Sequence, residues 1–142
     1  MFSVRAVVFF SNGNDAQRNG SAPEECAAWM DTIAQEYRTR LNVIVRLHPN
    51  EDDSLYRRYS HLVVTKHRPE FAALLDGCDG VVSLCSTALY EALLYHKPIW
   101  QLAAPGWSDL ADNWKQGLAR RVASLDELRE QIEGWLEAGR SD

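Results

Sequence analysis

The sequence predicts one α/β domain, in which a parallel sheet of about six strands carries helices on both faces in a doubly wound, Rossmann-like arrangement. Short apolar runs alternate with helix-like segments along the chain, and this alternation is typical of parallel strands joined by helices. The length of 142 residues suits one domain. No internal repeat, low-complexity tract or linker divides the chain, so we expect residues 1–142 to form a single unit.

The first predicted strand and helix lie at the start of the chain. Residues 4–10 form a compact, β-branched apolar run, which predicts a buried strand. Residues 11–21 are polar and rich in Gly and Asn, which predicts a loop. Pro23, followed directly by two glutamates, predicts a helix start, and we expect the helix to run to about Arg38.

The rest of the chain continues the alternation. Residues 41–47 predict the second strand, which Pro49 terminates. Ser124, followed three residues later by Glu127, fits a capping box at the start of the last helix. The remaining predicted elements are a short helix over 52–59, a strand over 61–65, a short helix over 69–76, a strand over 80–84, a helix over 86–96, a strand over 98–102, a helix over 112–120, a brief strand over 121–123 and a helix over 125–138.

Composition limits the class of function. With 46% hydrophobic residues and a net charge of -5, the chain is typical of a globular protein and lacks the basic surface of a general nucleic-acid binder. No apolar run approaches the roughly 20 residues of a membrane span, and the N-terminus does not fit a signal peptide. The three scattered cysteines fit neither a disulfide framework nor a metal knuckle, which favours a cytoplasmic location.

Ligands of doubly wound sheets bind beyond the carboxyl ends of the strands. That rule selects residues 11–21, 48–53, 85–91 and 103–113. Within the first stretch, Asn12, Gly13 and Arg18 could contact a phosphate or an acceptor, although a plain surface loop is an equal alternative. The loop lacks the Walker A and GxGxxG spacings, so neither a P-loop kinase nor a dinucleotide dehydrogenase is supported.

Four further residues have suitable chemistry for a phosphorylated sugar ligand. The His48 imidazole can donate a hydrogen bond to a phosphate oxygen, or it can simply cap a strand. Ser86 and Thr87 begin a predicted helix, where backbone N–H groups bind phosphate, but both residues are also ordinary N-caps. Glu91, one turn later, could accept the hydroxyls of a ribose or could face solvent. The histidines form no metal-binding spacing, and we expect no metal and no cofactor.

Two segments, VIVRLHPNE at 43–51 and CDGVVSLCSTALYEALLYHKPIW at 78–100, resemble the C-terminal, nucleotide-binding half of GT-B fold glycosyltransferases. The sequence is most similar to the capsule and teichoic-acid polymer group: CDP-glycerol glycerophosphotransferases, capsule Kdo transferases and HP-motif bacterial sialyltransferases. The resemblance covers residues 40–102 well. The pattern is a strand ending in His-Pro, followed by an Asp-strand-Ser-Thr-xxx-Glu-Ala-xxx-Gly-Lys-Pro unit, and it falls on His48-Pro49, Asp79, Ser86-Thr87, Glu91-Ala92 and Lys97-Pro98.

The resemblance implies that His48, Ser86 and Thr87 contact the donor phosphates and that Glu91 holds the ribose. It further implies a CMP- or CDP-linked donor and a role in surface polysaccharide biosynthesis. The N-terminal half, which supplies the acceptor site and the catalytic base, would come from another domain or subunit, and any membrane association would be peripheral and through that partner. His96 stands where the pattern usually has Gly, a departure that we expect to affect only a helix C-cap.

Two alternatives remain open at this stage. The chain could be a non-catalytic, partner-dependent subunit of a split glycosyltransferase. It could also be a nucleoside deoxyribosyltransferase-like enzyme, in which the glutamate is the nucleophile and His48 has no role.

Overall fold

Six parallel strands form one sheet in the computed structural model, which describes residues 4–11, 22–47, 53–65, 71–83, 96–103 and 119–140. The strands are β1 (Arg5–Phe10), β2 (Leu41–Arg46), β3 (Val63–Thr65), β4 (Gly80–Ser83), β5 (Ile99–Leu102) and β6 (Arg120–Val122). The helices are α1 (Ala22–Glu36), α2 (Phe71–Gly77) and α3 (Leu125–Arg140), with a 3-10 turn at Ser54–Tyr56. The predicted Rossmann-like α/β class is confirmed.

The sheet order is β3-β2-β1-β4-β5-β6. The chain builds outward from β1 through β2 to β3, then returns to the other side of β1 and builds β4, β5 and β6. The direction of winding therefore reverses between β1 and β4. In open sheets of this type, the crevice at such a switch point is the usual place for a ligand.

Hydrophobic side chains lie on both faces of the sheet, and β1, β4 and β5 are buried along most of their length, which explains why these three strands read as apolar runs rather than as alternating patterns. One face, here called the α1 face, packs against α1 and α3 and includes the buried residues Val7, Phe9, Val82, Trp100, Met30, Ile33, Leu128 and Ile132. The other, here called the α2 face, has a smaller cluster: Val8, Phe10, Cys78, Val81 and Ile99, with Leu74 of α2 against it.

The last helix has the N-terminal cap that the sequence predicts, with one difference. The Glu127 N–H donates to Ser124 Oγ at 3.1 Å. The Glu127 carboxylate accepts a hydrogen bond from the Ala123 N–H at 2.8 Å, one residue before the cap residue whose N–H a standard capping box would bind. Both groups still satisfy donors at the helix start.

Three predicted elements need correction. The short helix over 52–59 reduces to the 3-10 turn, because the Tyr56 N–H donates to the Asp53 carbonyl in an i to i+3 bond of 2.9 Å. The third strand begins only at Val63, because the His61 N–H binds Asp31 Oδ1 instead of the sheet. Arg120 begins β6 and so does not belong to the predicted helix over 112–120.

Most of two predicted helices, over 86–96 and 112–120, lies outside the described residues. Among the helices that the structure does describe, none is both long enough and apolar enough to cross a membrane.

Candidate functional site

The candidate site is the edge of the sheet at which the strands end. Arg46, Phe10, Ser83 and Gln101, near the carboxyl ends of β2, β1, β4 and β5, are paired in register across the sheet. Because neighbouring strands lie about 4.8 Å apart, these four strand ends extend over about 14 Å. The switch point lies at the centre of this edge.

The residues predicted from sequence to bind the ligand all lie outside the described residues; they are Asn12, Gly13, Arg18, His48, Ser86, Thr87 and Glu91. The structure does describe the strand ends from which their segments start. The loop of Asn12 follows β1, the His48 stretch follows β2, and the Ser86 stretch follows β4. Since β2 and β4 are the two neighbours of β1, all three segments leave the sheet at adjacent points of one edge.

Side chains on the α2 face change from apolar to polar toward this edge. One register row on that face is entirely apolar and contains Val63, Ile44, Val8, Val81 and Ile99. The row two residues further along, here called the edge row, contains Thr65, Arg46, Phe10, Ser83, Gln101 and Arg121. Apart from Phe10, every member of the edge row has a hydroxyl, amide or guanidinium group. These polar groups lie at the edge beyond which ligands of doubly wound sheets bind.

Ser83 occupies the central position of the edge row. Its side chain is fully buried, and its Oγ has no hydrogen-bond partner among the described residues. A buried hydroxyl without a partner costs about 1–3 kcal/mol, so hydrophobic packing alone does not explain a serine here. Gln101, its register neighbour on β5, is 1% exposed. Together they place two uncharged polar groups beside the switch point.

Arg46 brings a positive charge to the same edge. It is the last residue of β2, half-buried, and only Leu47 separates it from His48. Arg46, Ser83 and Gln101 are not among the site residues predicted from sequence. The sequence signal that could have identified these residues is that each is a polar side chain at the last or next-to-last position of its strand.

On the α1 face, a buried hydrogen bond joins two residues that sequence reasoning also missed. The Tyr56 hydroxyl donates to Ser11 Oγ at 2.5 Å, and both residues are almost completely buried. The Ser11 N–H donates to the Arg46 carbonyl at 3.0 Å. Ser11 therefore extends the β1–β2 ladder by one residue, although the sequence assigned it to the loop.

The segment that contains Tyr56 also binds α1. Arg58 forms an ion pair with Glu24 in the first turn of α1. Asp31, two turns further along α1, accepts a hydrogen bond from the His61 N–H at 3.0 Å. These contacts assign His61 a structural position before β3, away from the candidate edge.

Asp79, the first residue of the unit that continues through Ser86-Thr87, lies at the opposite end of the sheet. Its Oδ2 accepts a hydrogen bond from the Ala6 N–H at 2.8 Å, and its own N–H donates to the Ala6 carbonyl at 2.7 Å. Asp79 therefore starts the pairing of β4 with β1. This position is structural.

Neither described cysteine has the properties of a nucleophile. Burial raises the pKa of the Cys26 thiol well above its ordinary value, and the neighbouring Glu25 carboxylate adds to this effect. Burial likewise raises the pKa of Cys78. Both thiols are therefore neutral at physiological pH. Within the described ranges, no three His, Cys, Asp or Glu side chains are placed to hold a metal ion.

No protein-family model matches the sequence. No curated protein matches the sequence either.

Solved structures share the fold at low identity. A structure of Staphylococcus aureus MnaA with UDP aligns with a TM-score of 0.69 at 12% identity, covering 97% of this chain and 38% of the other. KpsC from Thermosulfurimonas dismutans, a β-Kdo 2,4 transferase, aligns with a TM-score of 0.57 at 20% identity, covering 87% and 39%. The Escherichia coli heptosyltransferase WaaC, with ADP-2-deoxy-2-fluoro heptose, aligns with a TM-score of 0.59 at 17% identity, covering 94% and 44%.

The chain thus spans about two fifths of the length of these proteins. At such identities the similarity establishes the fold, which is a property shared by proteins of many functions. This chain has the Rossmann-like fold of one part of these larger proteins, two of which are glycosyltransferases.

Proposed function

We propose that this domain binds the nucleotide-sugar donor of a glycosyltransferase or glycerophosphotransferase. The observation that supports the proposal best is the strand order. The two strands followed by the His48 and Ser86 stretches flank β1 on either side. Their ends are therefore about 10 Å apart, with the switch point between them. Two phosphate-binding segments predicted independently from sequence thus start at the usual ligand crevice.

In the proposed complex, His48 donates a hydrogen bond to a donor phosphate, and Ser86 and Thr87 bind the phosphates at the start of their helix. The Glu91 carboxylate accepts hydrogen bonds from the ribose hydroxyls. Asn12, Gly13 and Arg18, in the loop after β1, supply further contacts. These groups would stabilise the negative charge that develops on the leaving phosphate.

Arg46 is a further candidate for binding the phosphates of the donor. The chain has a net charge of -5, so an anionic donor gains no attraction from the protein as a whole. A guanidinium at the end of β2 brings to the candidate edge the kind of side chain that suits phosphate recognition. We add Arg46 to the proposed phosphate-binding groups.

We propose a CMP- or CDP-linked donor and a role in surface polysaccharide biosynthesis, from the similarity to capsule and teichoic-acid enzymes. The structural neighbours include a Kdo transferase and a heptosyltransferase. The nucleotides in the aligned structures differ, since the MnaA structure holds UDP and the heptosyltransferase structure holds an ADP-linked sugar. The base preference therefore has to be measured directly.

In our proposal, transfer of the donor's sugar or glycerophosphate group requires protein groups that lie outside this domain. The neighbouring proteins are more than twice as long as the aligned region. We propose that a second domain, in the same polypeptide or in a partner subunit, supplies the acceptor site and the catalytic base. A partner-dependent subunit of a split glycosyltransferase is the second candidate function, and it rests on the same resemblance.

The test is isothermal titration calorimetry of the wild-type chain with CMP, CDP, UDP, GDP and ADP. We expect one cytidine nucleotide to bind most tightly, and we expect His48→Ala to raise its Kd at least about tenfold, since hydrogen bonds to charged groups contribute about 1.5–3 kcal/mol.

His61→Ala is the matched control, because His61 lies before β3 and contacts Asp31. It should leave the Kd unchanged. Equal affinities in wild type and His48→Ala would contradict the proposed role of His48, and the absence of any nucleotide binding would contradict the function. Release of free base from a deoxynucleoside would instead support the deoxyribosyltransferase alternative.

A further inference from the structure

Ser11 makes hydrogen bonds to both sides of the His48 stretch. Its N–H donates to the carbonyl of Arg46, which lies two residues before His48. Its Oγ accepts from the hydroxyl of Tyr56, in the 3-10 turn that follows the stretch. The residue that follows β1 is thereby bound to the chain before and after the second predicted phosphate-binding segment.

Ser11 is also the last described residue before the Gly/Asn loop that contains Asn12 and Gly13. One residue, through its backbone N–H and its side-chain hydroxyl, therefore connects the start of one predicted binding segment to the two flanks of another. The 3-10 turn itself is fixed, because the Tyr56 N–H donates to the Asp53 carbonyl at 2.9 Å. Loss of the hydrogen bond from the Tyr56 hydroxyl to Ser11 Oγ would disconnect the residue after β1 from the turn that follows the His48 stretch.

We propose that Tyr56 is a positioning residue for the donor site and acts through Ser11. The inference rests on the proposed nucleotide-binding function and adds a residue that sequence motifs do not contain. Tyr56 contacts no donor atom in this proposal. Its hydroxyl holds Ser11 so that the loop after β1 and the His48 stretch leave the sheet in a fixed relation.

The hydrogen bond between Tyr56 and Ser11 is shielded from water, because both residues are buried. Tyr56 is 3% exposed and Ser11 4% exposed, so water does not readily replace either partner. A binding site assembled from two loops loses affinity when those loops must be ordered during binding, because the ordering entropy is then subtracted from the binding free energy. A preformed Ser11–Tyr56 bond removes part of that cost.

The test compares two tyrosine variants that each lose one hydroxyl. Tyr56→Phe keeps the ring that packs in the α1-face core and removes the hydrogen bond to Ser11. Tyr37→Phe is the control: the Tyr37 hydroxyl contacts Glu133 Oε2 at 3.4 Å, and Tyr37 lies just before β2, at the amino end of the strands. The Kd of the best nucleotide from the panel is measured by calorimetry, well below the melting temperature of every variant.

We expect Tyr56→Phe to raise the Kd about fivefold and Tyr37→Phe to leave it unchanged. Ser11→Ala should raise the Kd similarly, and the double variant Ser11→Ala/Tyr56→Phe should be no weaker than either single variant, because both remove the same bond. A purely structural bond would lower the melting temperature without changing the Kd.

Wild-type binding with equal Kd values in Tyr56→Phe and Tyr37→Phe would overturn the positioning role and leave the proposed function intact. Additive losses in the double variant would overturn the route through Ser11. Failure of the wild type to bind any nucleotide would overturn the proposed function, and this inference with it.

Discussion

The guanidinium of Arg129 on α3 donates two hydrogen bonds to the Glu36 carboxylate at the end of α1, each 2.8 Å long. Its Nη1 also donates to Asp126 Oδ1 at 2.7 Å. The bidentate pair joins the two helices that cover the α1 face, over a sequence separation of 93 residues. Its geometry is the strongest that arginine and a carboxylate form.

This pair makes the stability of the domain depend on pH. The hydrogen bond from Arg129 lowers the pKa of Glu36 below its ordinary value. The ionised, paired form stabilises the folded state above the ordinary glutamate pKa of about 4.3, and the stabilisation decreases as the pH falls through the lowered pKa. We expect Glu36→Gln to melt at a lower temperature than wild type at pH 7, by less than about 3 °C because the pair is exposed to solvent.

The difference between wild type and Glu36→Gln should vanish at acidic pH and shrink in high salt. Glu130→Gln, a neutralising change at an exposed position of α3, provides the control for the change in net charge. A pH-independent difference in the thermal scans would show that the ion pair is not its source.

His96 has a left-handed backbone conformation, with φ of 55°. The sequence pattern has a glycine at this position, and the structure shows the reason: the conformation costs a non-glycine residue about 1 kcal/mol. We therefore expect His96→Gly to increase the free energy of unfolding by about 0.5–1 kcal/mol in chemical denaturation. His96→Ala keeps the strain and serves as the control. Equal stability of the two variants would contradict this account.

Gly80 at the start of β4 leaves room for the Trp100 ring. A Cβ at residue 80 would lie 2.7 Å from Trp100 Cζ3, and Trp100 cannot retreat freely because it packs edge-on against Trp135 at 5.1 Å. We expect Gly80→Ala to destabilise the domain by about 1–3 kcal/mol. At Gly134 in α3, a Cβ would meet nothing within 4 Å, so Gly134→Ala should stabilise the helix by about 0.5–1 kcal/mol. Denaturant unfolding of the two variants should give changes of opposite sign.

Ser83 and Ser124 should respond differently to the same substitution. Ser83 Oγ is buried without a partner among the described residues, whereas Ser124 Oγ caps α3. Ser83→Ala should therefore leave the stability of the ligand-free domain unchanged or slightly higher, because an unsatisfied polar atom is removed. Ser124→Ala should cost about 1 kcal/mol. A large loss of stability in Ser83→Ala would reveal a structural hydrogen bond and remove Ser83 from the candidate site.

Most strands of the sheet were predictable from sequence. The largely apolar runs of β1, β2, β4 and β5 predict the observed strands to within one residue. β1, β4 and β5 are buried along most of their length, which favours apolar side chains on both faces, whereas buried and more exposed residues alternate in β2. The cap of α3 was predictable as well, since Ser124 and Glu127 act within one turn.

Features that depend on distant contacts were not predictable. The end of β1 includes a ladder bond from Ser11 to Arg46, and the 3-10 turn places Tyr56 against Ser11 over 45 residues. Nothing in either local sequence indicates the other. The polar edge row is similarly invisible in a linear sequence, because it becomes a row only when six strands are aligned in register. The motif residues themselves stay predictions, since they lie outside the described residues.

The contact between Arg5 and Trp135 has a consequence for the order in which the domain is made. Arg5 in β1 donates to the Trp135 carbonyl at 3.3 Å, and its guanidinium lies 4.7 Å from the centre of the Trp135 ring in α3. A nascent chain that ends before residue 125 contains all six strands but lacks the helix that packs on Trp100. β1 must therefore wait for α3, so the folding of the sheet and its covering helices is completed only after α3 has been synthesised.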